Sequence, residues 1–433
     1  MLNEYIIIEK SSGLNGKINL SGSKNATLPI MASLILTNGK SELYNVPESA
    51  DILQTIGLLK DLGAQVNFDS TKKFLEVDTS TINNFEVKPE VMNKMRASIL
   101  VMGPLLSRFK KAKVALPGGC LIGKRPIDLH LNNFKKMGVE IEETHDYLYA
   151  YINNPDNYVN NNTQSKKQHK IILEYPSVGA TENIAMFAAS LQTDTFIVNA
   201  ALEPEVMDFL DVLKKMGVKI EILPPATIKI SGVKEFKTVK HKIIPDRLEA
   251  GSLLAAAAIA EGQIELFDAR ADHMDIFLEK LSEMGHEVII NSDNSIKFKA
   301  CKNPKAVSFK TGPYPCFPTD LQAPMMVLQT LAQGESVIEE TVFENRLLHV
   351  EELKKMGADI SYINNSKVLV KGVKELFGTQ VVASDIRACT ALVIAGFVCE
   401  QNTIVKGISH WKRGHDRLEE KLTKLGARIK ISS

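Results

Sequence analysis

One eight-residue pattern, apolar-x-x-Leu/Met-Gly-x-x-Ile/Val, occurs six times in this 433-residue chain and constrains its fold more than any other feature. It spans Leu59–Val66, Phe134–Ile141, Leu213–Ile220, Leu281–Val288, Leu353–Ile360 and Leu422–Ile429. Its glycines, Gly63, Gly138, Gly217, Gly285, Gly357 and Gly426, are 75, 79, 68, 72 and 69 residues apart. An amphipathic helix that ends on a left-handed Gly, followed at once by a strand, has this signature. Six such ends at near-constant spacing imply a repeated supersecondary unit.

A second series interleaves with the first: Leu28–Leu36, Ile99–Leu106, Ile184–Leu191, Leu253–Ala260, Met325–Ala332 and Ala391–Val398. These segments are small, apolar and without a polar face, so they predict helices buried on all sides. Most lead into a polar turn and a β-rich run, as in Gly262–Leu266 and Gly334–Ile338. The unit is a β-α-β-α-β element, and the fold class is α/β. Six units suggest two pseudo-symmetric domains of three, with the midpoint near Ile244-Pro245-Asp246. The polar, low-complexity stretch 153–168 reads as an exposed loop.

Composition narrows the function. With 52 basic and 51 acidic side chains, no global field points to nucleic acid or to an anionic membrane. No apolar run approaches the ~18 residues of a membrane span, and the first residues lack the basic start of a signal peptide. Five cysteines without CxxC spacing fit a reducing compartment, read here as the cytoplasm, and argue against disulfides or zinc. The histidines form no HExxH-like pair, so no metal is expected. Gly118-x4-Gly123-Lys124 imitates a P-loop, but Arg125 stands where Ser or Thr would hold magnesium. No cofactor is expected.

Polar residues cluster where the buried helices should begin: Lys24-Asn25, Arg96, Ser177 to Thr181, Asp246-Arg247, Thr319-Asp320 and Asp385 to Arg387. Ser, Thr and Asp there suit capping. Lys24, Arg96 and Arg387 oppose the helix dipole and make sense beside an anion. The segment Pro117 to Pro126 places Cys120 in a glycine-rich loop, four and five residues before Lys124 and Arg125. Glycines let a backbone approach a ligand, and neighbouring cations favour a thiolate and attract anions. The loop reads as a lid carrying a reactive thiol over an anionic substrate.

These blocks, with Leu20 to Ala26, Met95 to Ser98, Phe317 to Asp320 and Glu340 to Arg346, resemble the UDP-N-acetylglucosamine 1-carboxyvinyltransferases over essentially the whole chain. That is a family of enolpyruvyl transferases. The resemblance implies a two-domain inside-out α/β barrel whose first domain spans 23–244 and whose second combines 1–22 with 245–433. It implies transfer of the enolpyruvyl group of phosphoenolpyruvate to the 3′-hydroxyl of UDP-N-acetylglucosamine with release of phosphate, the first committed step of peptidoglycan precursor synthesis. Enolpyruvyl transfer to shikimate 3-phosphate is the alternative, disfavoured by the Cys120 loop.

The resemblance also assigns roles. Lys24, Arg125 and Arg413 clamp phosphoenolpyruvate. Cys120 is the general acid, and the thiol that an epoxide-phosphonate such as fosfomycin would alkylate. Asp320 takes the hydroxyl proton. Arg125, Pro126, Ile127, Asp128, Leu129 and His130 hold the uridine side, and Ser177, Val178 and Gly179 receive the diphosphate. Asn25, Arg96, Arg387 and the turn from Val342 to Glu344 complete the pocket. Tyr175-Pro176 departs from some relatives, which carry a cation just before Ser177.

Overall fold

The computed structural model describes residues 4–88, 96–115, 127–153 and 168–432. The chain divides into two compact units. The first comprises 22–115 and 127–244, and the second comprises 4–21 and 245–432. The chain passes between them at Ser21–Gly22 and at Ile244–Pro245. Each unit has its own apolar core and three four-stranded sheets.

Among the described residues the six sheets share one order, and the run 309–371 shows it. Phe309–Lys310 pairs parallel with Glu335–Glu339, and the buried helix Gln322–Thr330 connects them. The outer helix His349–Lys355 follows, and then the edge strand Asp359–Asn364. The chain then turns back as Lys367–Lys371, which inserts antiparallel between the edge strand and Glu335–Glu339. The repeat is therefore β-α-β-α-β-β, one strand more than the sequence pattern gives. The extra strand is short and alternating (Lys367-Val368-Leu369-Val370-Lys371) and follows a tight turn, so it carries no helix-end marker of its own.

Three sheets take a strand from a distant part of the chain. Tyr5–Glu9 lies between Thr403–Lys406 and Arg428–Ser432, and Asn15–Asn19 pairs parallel with Gln263–Phe267. In the first unit Lys240–Lys242 pairs parallel with Lys40–Tyr44. These closures account for the two crossings.

The six pattern glycines end outer helices with φ of 103°, 85°, 107°, 100°, 92° and 103°, a region costly for residues with a Cβ. The inner helices are Lys24–Ser33, Met102–Phe109, Val178–Ala188, Arg247–Ile259, Gln322–Thr330 and Ile386–Gly396. Every residue of Arg247–Ile259 and of Gln322–Thr330 is buried. Full burial of one leucine contributes roughly 1.5–3 kcal/mol, so these helices anchor their units. Among the described residues no helix is long and apolar enough to cross a membrane.

Candidate active site

Four of the six inner helices begin with side-chain caps, as Ser and Asp at those positions allow. Ser23 Oγ accepts from Ala26 N, Ser177 Oγ from Ala180 N, Asp246 from Leu248 N and Glu249 N, and Asp385 from Arg387 N and Ala388 N. Several of the residues expected at the site stand just inside these caps, in each unit.

In the first unit Lys24 opens its helix and is 7% exposed. Its ammonium lies 3.2 Å from Asp51 Oδ2, also buried. Asp51 sits in the first turn of Ala50–Asp61, where a carboxylate suits the helix dipole. A cation that the Lys24 helix would disfavour is thus balanced by an anion that a neighbouring helix favours. Asn25 follows, half-buried.

Asp128 opens the helix Asp128–Lys136. Ile127 and Leu129 pack on the core, and His130 is buried. Asn183 fixes the His130 ring. Its Oδ1 accepts from Gly103 N at 2.7 Å, so its amide group faces outward to Ile99 O at 2.9 Å and to His130 Nδ1 at 3.0 Å. His130 Nδ1 is therefore the acceptor, and the ring is neutral with its proton on Nε2. Burial pushes its pKa down to about 4, which keeps it neutral. The ring lies against Gly179, where an added Cβ would meet His130 Cε1 at 3.4 Å. The geometry thus brings Asp128 to His130 beside the start of the helix Val178–Ala188, with Ser177, Val178 and Gly179.

In the second unit Asp320 lies in the short helix Thr319–Leu321. Arg346 Nη2 donates to its Oδ1 at 2.6 Å and Arg387 Nη2 to its Oδ2 at 2.7 Å. Burial alone would raise its pKa, but the two guanidinium charges and their hydrogen bonds outweigh burial and hold the carboxyl well below its ordinary value. The ionic chain extends both ways. Arg346 Nη1 donates to Thr319 Oγ1 at 3.1 Å, and Thr319 donates to Glu340 Oε2 at 2.9 Å. Glu340 Oε1 accepts from Val342 N and Phe343 N, fixing the Val342 turn. On the other side Arg387 Nη1 meets His415 Nε2 at 3.4 Å.

Arg413, half-buried, lies on the helix Ser409–Gly414, which packs on Ile386–Gly396. Gly414 permits the approach, because a Cβ there would lie 2.5 Å from Ile386 Cγ2. The Arg96 backbone opens the short helix Arg96–Val101 that leads into Met102–Phe109. Cys120, Arg125 and Pro126 lie outside the described residues.

Sequence reasoning missed Asp51 and Asn183, gave His415 no role, and placed Thr319, Glu340 and Arg346 in motifs without a role of their own. Arg346 is 4% exposed, and nothing local in the run Glu340 to Arg346 marks that burial.

Among the described residues no cluster of His, Cys, Asp and Glu could hold a metal ion. The first unit offers a cation at a capped helix start and a neutral imidazole, which suit an anionic ligand. The second offers a carboxylate gripped by two arginines, which suits proton transfer beside an anion.

The model of the EPSP synthase family (3-phosphoshikimate 1-carboxyvinyltransferase) matches residues 8–422. A UDP-N-acetylglucosamine 1-carboxyvinyltransferase of Geotalea uraniireducens is 45% identical, covering 98% of this chain and 99% of its own. One from Caldanaerobacter subterraneus is 44% identical, covering 98% of each chain. Among solved structures, the enolpyruvyl transferase NikO from Streptomyces tendae superposes with a TM-score of 0.87 at 21% identity, covering 99% of both chains. EPSP synthase from Acinetobacter baumannii gives 0.77 at 15% identity, covering 99% of this chain and all of its own. The chain belongs to the UDP-N-acetylglucosamine 1-carboxyvinyltransferase family and has the two-domain inside-out α/β fold of the enolpyruvyl transferases.

Proposed function

We propose that this protein moves the enolpyruvyl group of phosphoenolpyruvate onto the 3′-hydroxyl of UDP-N-acetylglucosamine and releases phosphate. The observation that carries this is near-full-length identity of 42–45% to relatives bearing that activity in their names. In the addition step the sugar oxygen bonds to C2 of phosphoenolpyruvate, its proton leaves to a base, and the methylene carbon gains a proton. In the elimination step the methyl loses a proton, the C2–O bond to phosphate breaks, and the enol ether forms.

Asp320 is the base. As gripped by Arg346 and Arg387 it is ionised but weak. A substrate anion that recruits either guanidinium would loosen that grip and raise the basicity of Asp320 when it is needed. Cys120 supplies the methylene proton. Lys24, Arg125 and Arg413 hold the phosphoenolpyruvate anion, and cations aimed at developing charge are the largest catalytic contribution usually available. His130, Asp128 and the backbone at Ser177 to Gly179 hold the nucleotide, with Asn25, Arg96, Arg387 and the Val342 turn around the sugar.

The test is phosphate release from phosphoenolpyruvate with UDP-N-acetylglucosamine, with shikimate 3-phosphate, or with neither. Release with the nucleotide sugar alone supports the reading, and release with shikimate 3-phosphate alone overturns it.

A further inference from the structure

At the far end of the first unit's inner helices from Lys24 and Ser177 lies a cavity of about 270 Å³. Its polar wall is Ser107, Arg108, Lys110, Ser190, Gln192 and Lys234, and its apolar wall is Leu36, Val233 and Phe236. The C-terminal ends of three inner helices meet there. Ser107 Oγ donates to Met186 O, Ser190 Oγ to Ser107 Oγ, and Arg108 Nη1 to Ile35 O and Thr37 O.

Three cations line this hollow, and among the described residues none forms an ion pair. Arg108 gives three N–H groups to carbonyls, those of Ile35, Thr37 and Thr79, leaving two of its five. Lys110 Nζ gives one bond, to Ser107 O at 2.8 Å, leaving two of three. Burial without a neighbouring carboxylate pushes both pKa values down. Lys110 also holds a left-handed backbone with φ of 60°, a strained choice for a residue that could have been Gly.

Converging helix C-termini attract cations, so capping alone could explain them. The second unit argues otherwise. Its inner helices end on carbonyls that take backbone N–H groups: Gly13 N to Ala260 O, Val373 N to Thr330 O and Ser11 N to Phe397 O. The first unit closes one of its own ends in the same way, Val233 N to Ala189 O at 2.8 Å, so the N–H groups that Arg108, Lys110 and Lys234 leave unspent are not needed there for capping. The charges of the first unit exceed what capping needs.

We propose that this cavity binds a small organic anion, a phosphate monoester or carboxylate on a body with one apolar face. Spare N–H groups of Arg108, Lys110, Lys234 and Gln192 take the head, and Leu36, Val233 and Phe236 take the body.

The test is calorimetric titration of the full chain with phenyl phosphate and, separately, benzoate. The variants are Lys110→Gly with Lys234→Gln, and Lys24→Gln. Glycine suits the left-handed backbone, so the first variant should fold, and its turnover without anion should match the parent. The expected result is saturable binding of one or both probes, about tenfold weaker or worse without the two lysines and unchanged in Lys24→Gln. Tighter binding of one probe identifies the head group. No saturable binding of either probe, or binding that survives loss of both lysines, overturns the proposal, as does binding that only Lys24→Gln removes.

Discussion

The two units share a fold and differ in how they manage charge. In the first, Lys24 answers Asp51 in one buried pair and His130 is kept neutral by Asn183 and burial. In the second, a run of ionic hydrogen bonds joins Glu340, Thr319, Arg346, Asp320 and Arg387. Equivalent helix starts supply backbone N–H groups in both. The repeat therefore supplies the anion-friendly frame, and individual side chains divide the work. Among the described residues the first unit sets a cation and a neutral imidazole at its helix starts, and the second adds a carboxylate whose basicity two arginines control.

The sharpest way to break this division is Asp320→Asn. Turnover should fall by about 10²–10⁴, with the KM for UDP-N-acetylglucosamine little changed. Asn183→Ala should do the reverse, raising that KM while kcat holds, because it frees His130, Gly103 N and Ile99 O without touching Asp320. Steady-state kinetics of both variants decide, and equal kcat losses would erase the division.

Asp51→Asn comes next. It removes the carboxylate that faces the buried Lys24 ammonium, and breaking a buried pair from one side costs about 3–5 kcal/mol. Urea unfolding should show a lower midpoint. A change under about 1 kcal/mol would mean that Lys24 is balanced by another group.

His130 gives the next effect, and its sign follows from linkage. Its folded pKa of about 4 lies below the ordinary imidazole value of 6.5, so between these pH values the unfolded chain binds the extra proton. Stability due to neutral His130 is whole above pH ~6.5 and falls as pH drops toward 4, by about 3 kcal/mol in all. His286 and His349 in the second unit, also lowered to about 4 by burial, should add acid sensitivity there. His130→Gln should flatten the stability slope between pH 6.5 and 4 without abolishing it, read from urea midpoints across that range. An unchanged slope would mean that His130 is protonated in the folded chain.

Much of the fold is legible because its markers are local. Gly63, Gly138, Gly217, Gly285, Gly357 and Gly426 announce helix ends whatever lies elsewhere. The return strands, such as Lys367–Lys371, are hidden because a five-residue strand takes its identity from the neighbours it pairs with. The site divides in the same way. Arg387 stood out because a cation at a helix start conflicts with the dipole. Arg346 did not, since its meaning lies in a carboxylate 26 residues away. Asp51 is hidden likewise, 27 residues from Lys24, and Asn183 matters only once the fold sets it beside Ile99, Gly103 and His130.

The smallest effect tests whether the repeats are energetically equivalent. A Cβ at Gly217 in the first unit or at Gly426 in the second would meet nothing within 4 Å. Alanine at either should cost only the left-handed backbone penalty, about 1 kcal/mol, and the same in both units. Gly63 makes the contrast, because a Cβ there would lie 2.8 Å from Thr81 O. Gly63→Ala must shift backbone and should cost more than either. Urea midpoints of the three variants rank them. If Gly217→Ala and Gly426→Ala differ by as much as Gly63→Ala differs from them, the helix ends are not interchangeable parts, and the symmetry read from their spacing is one of shape alone.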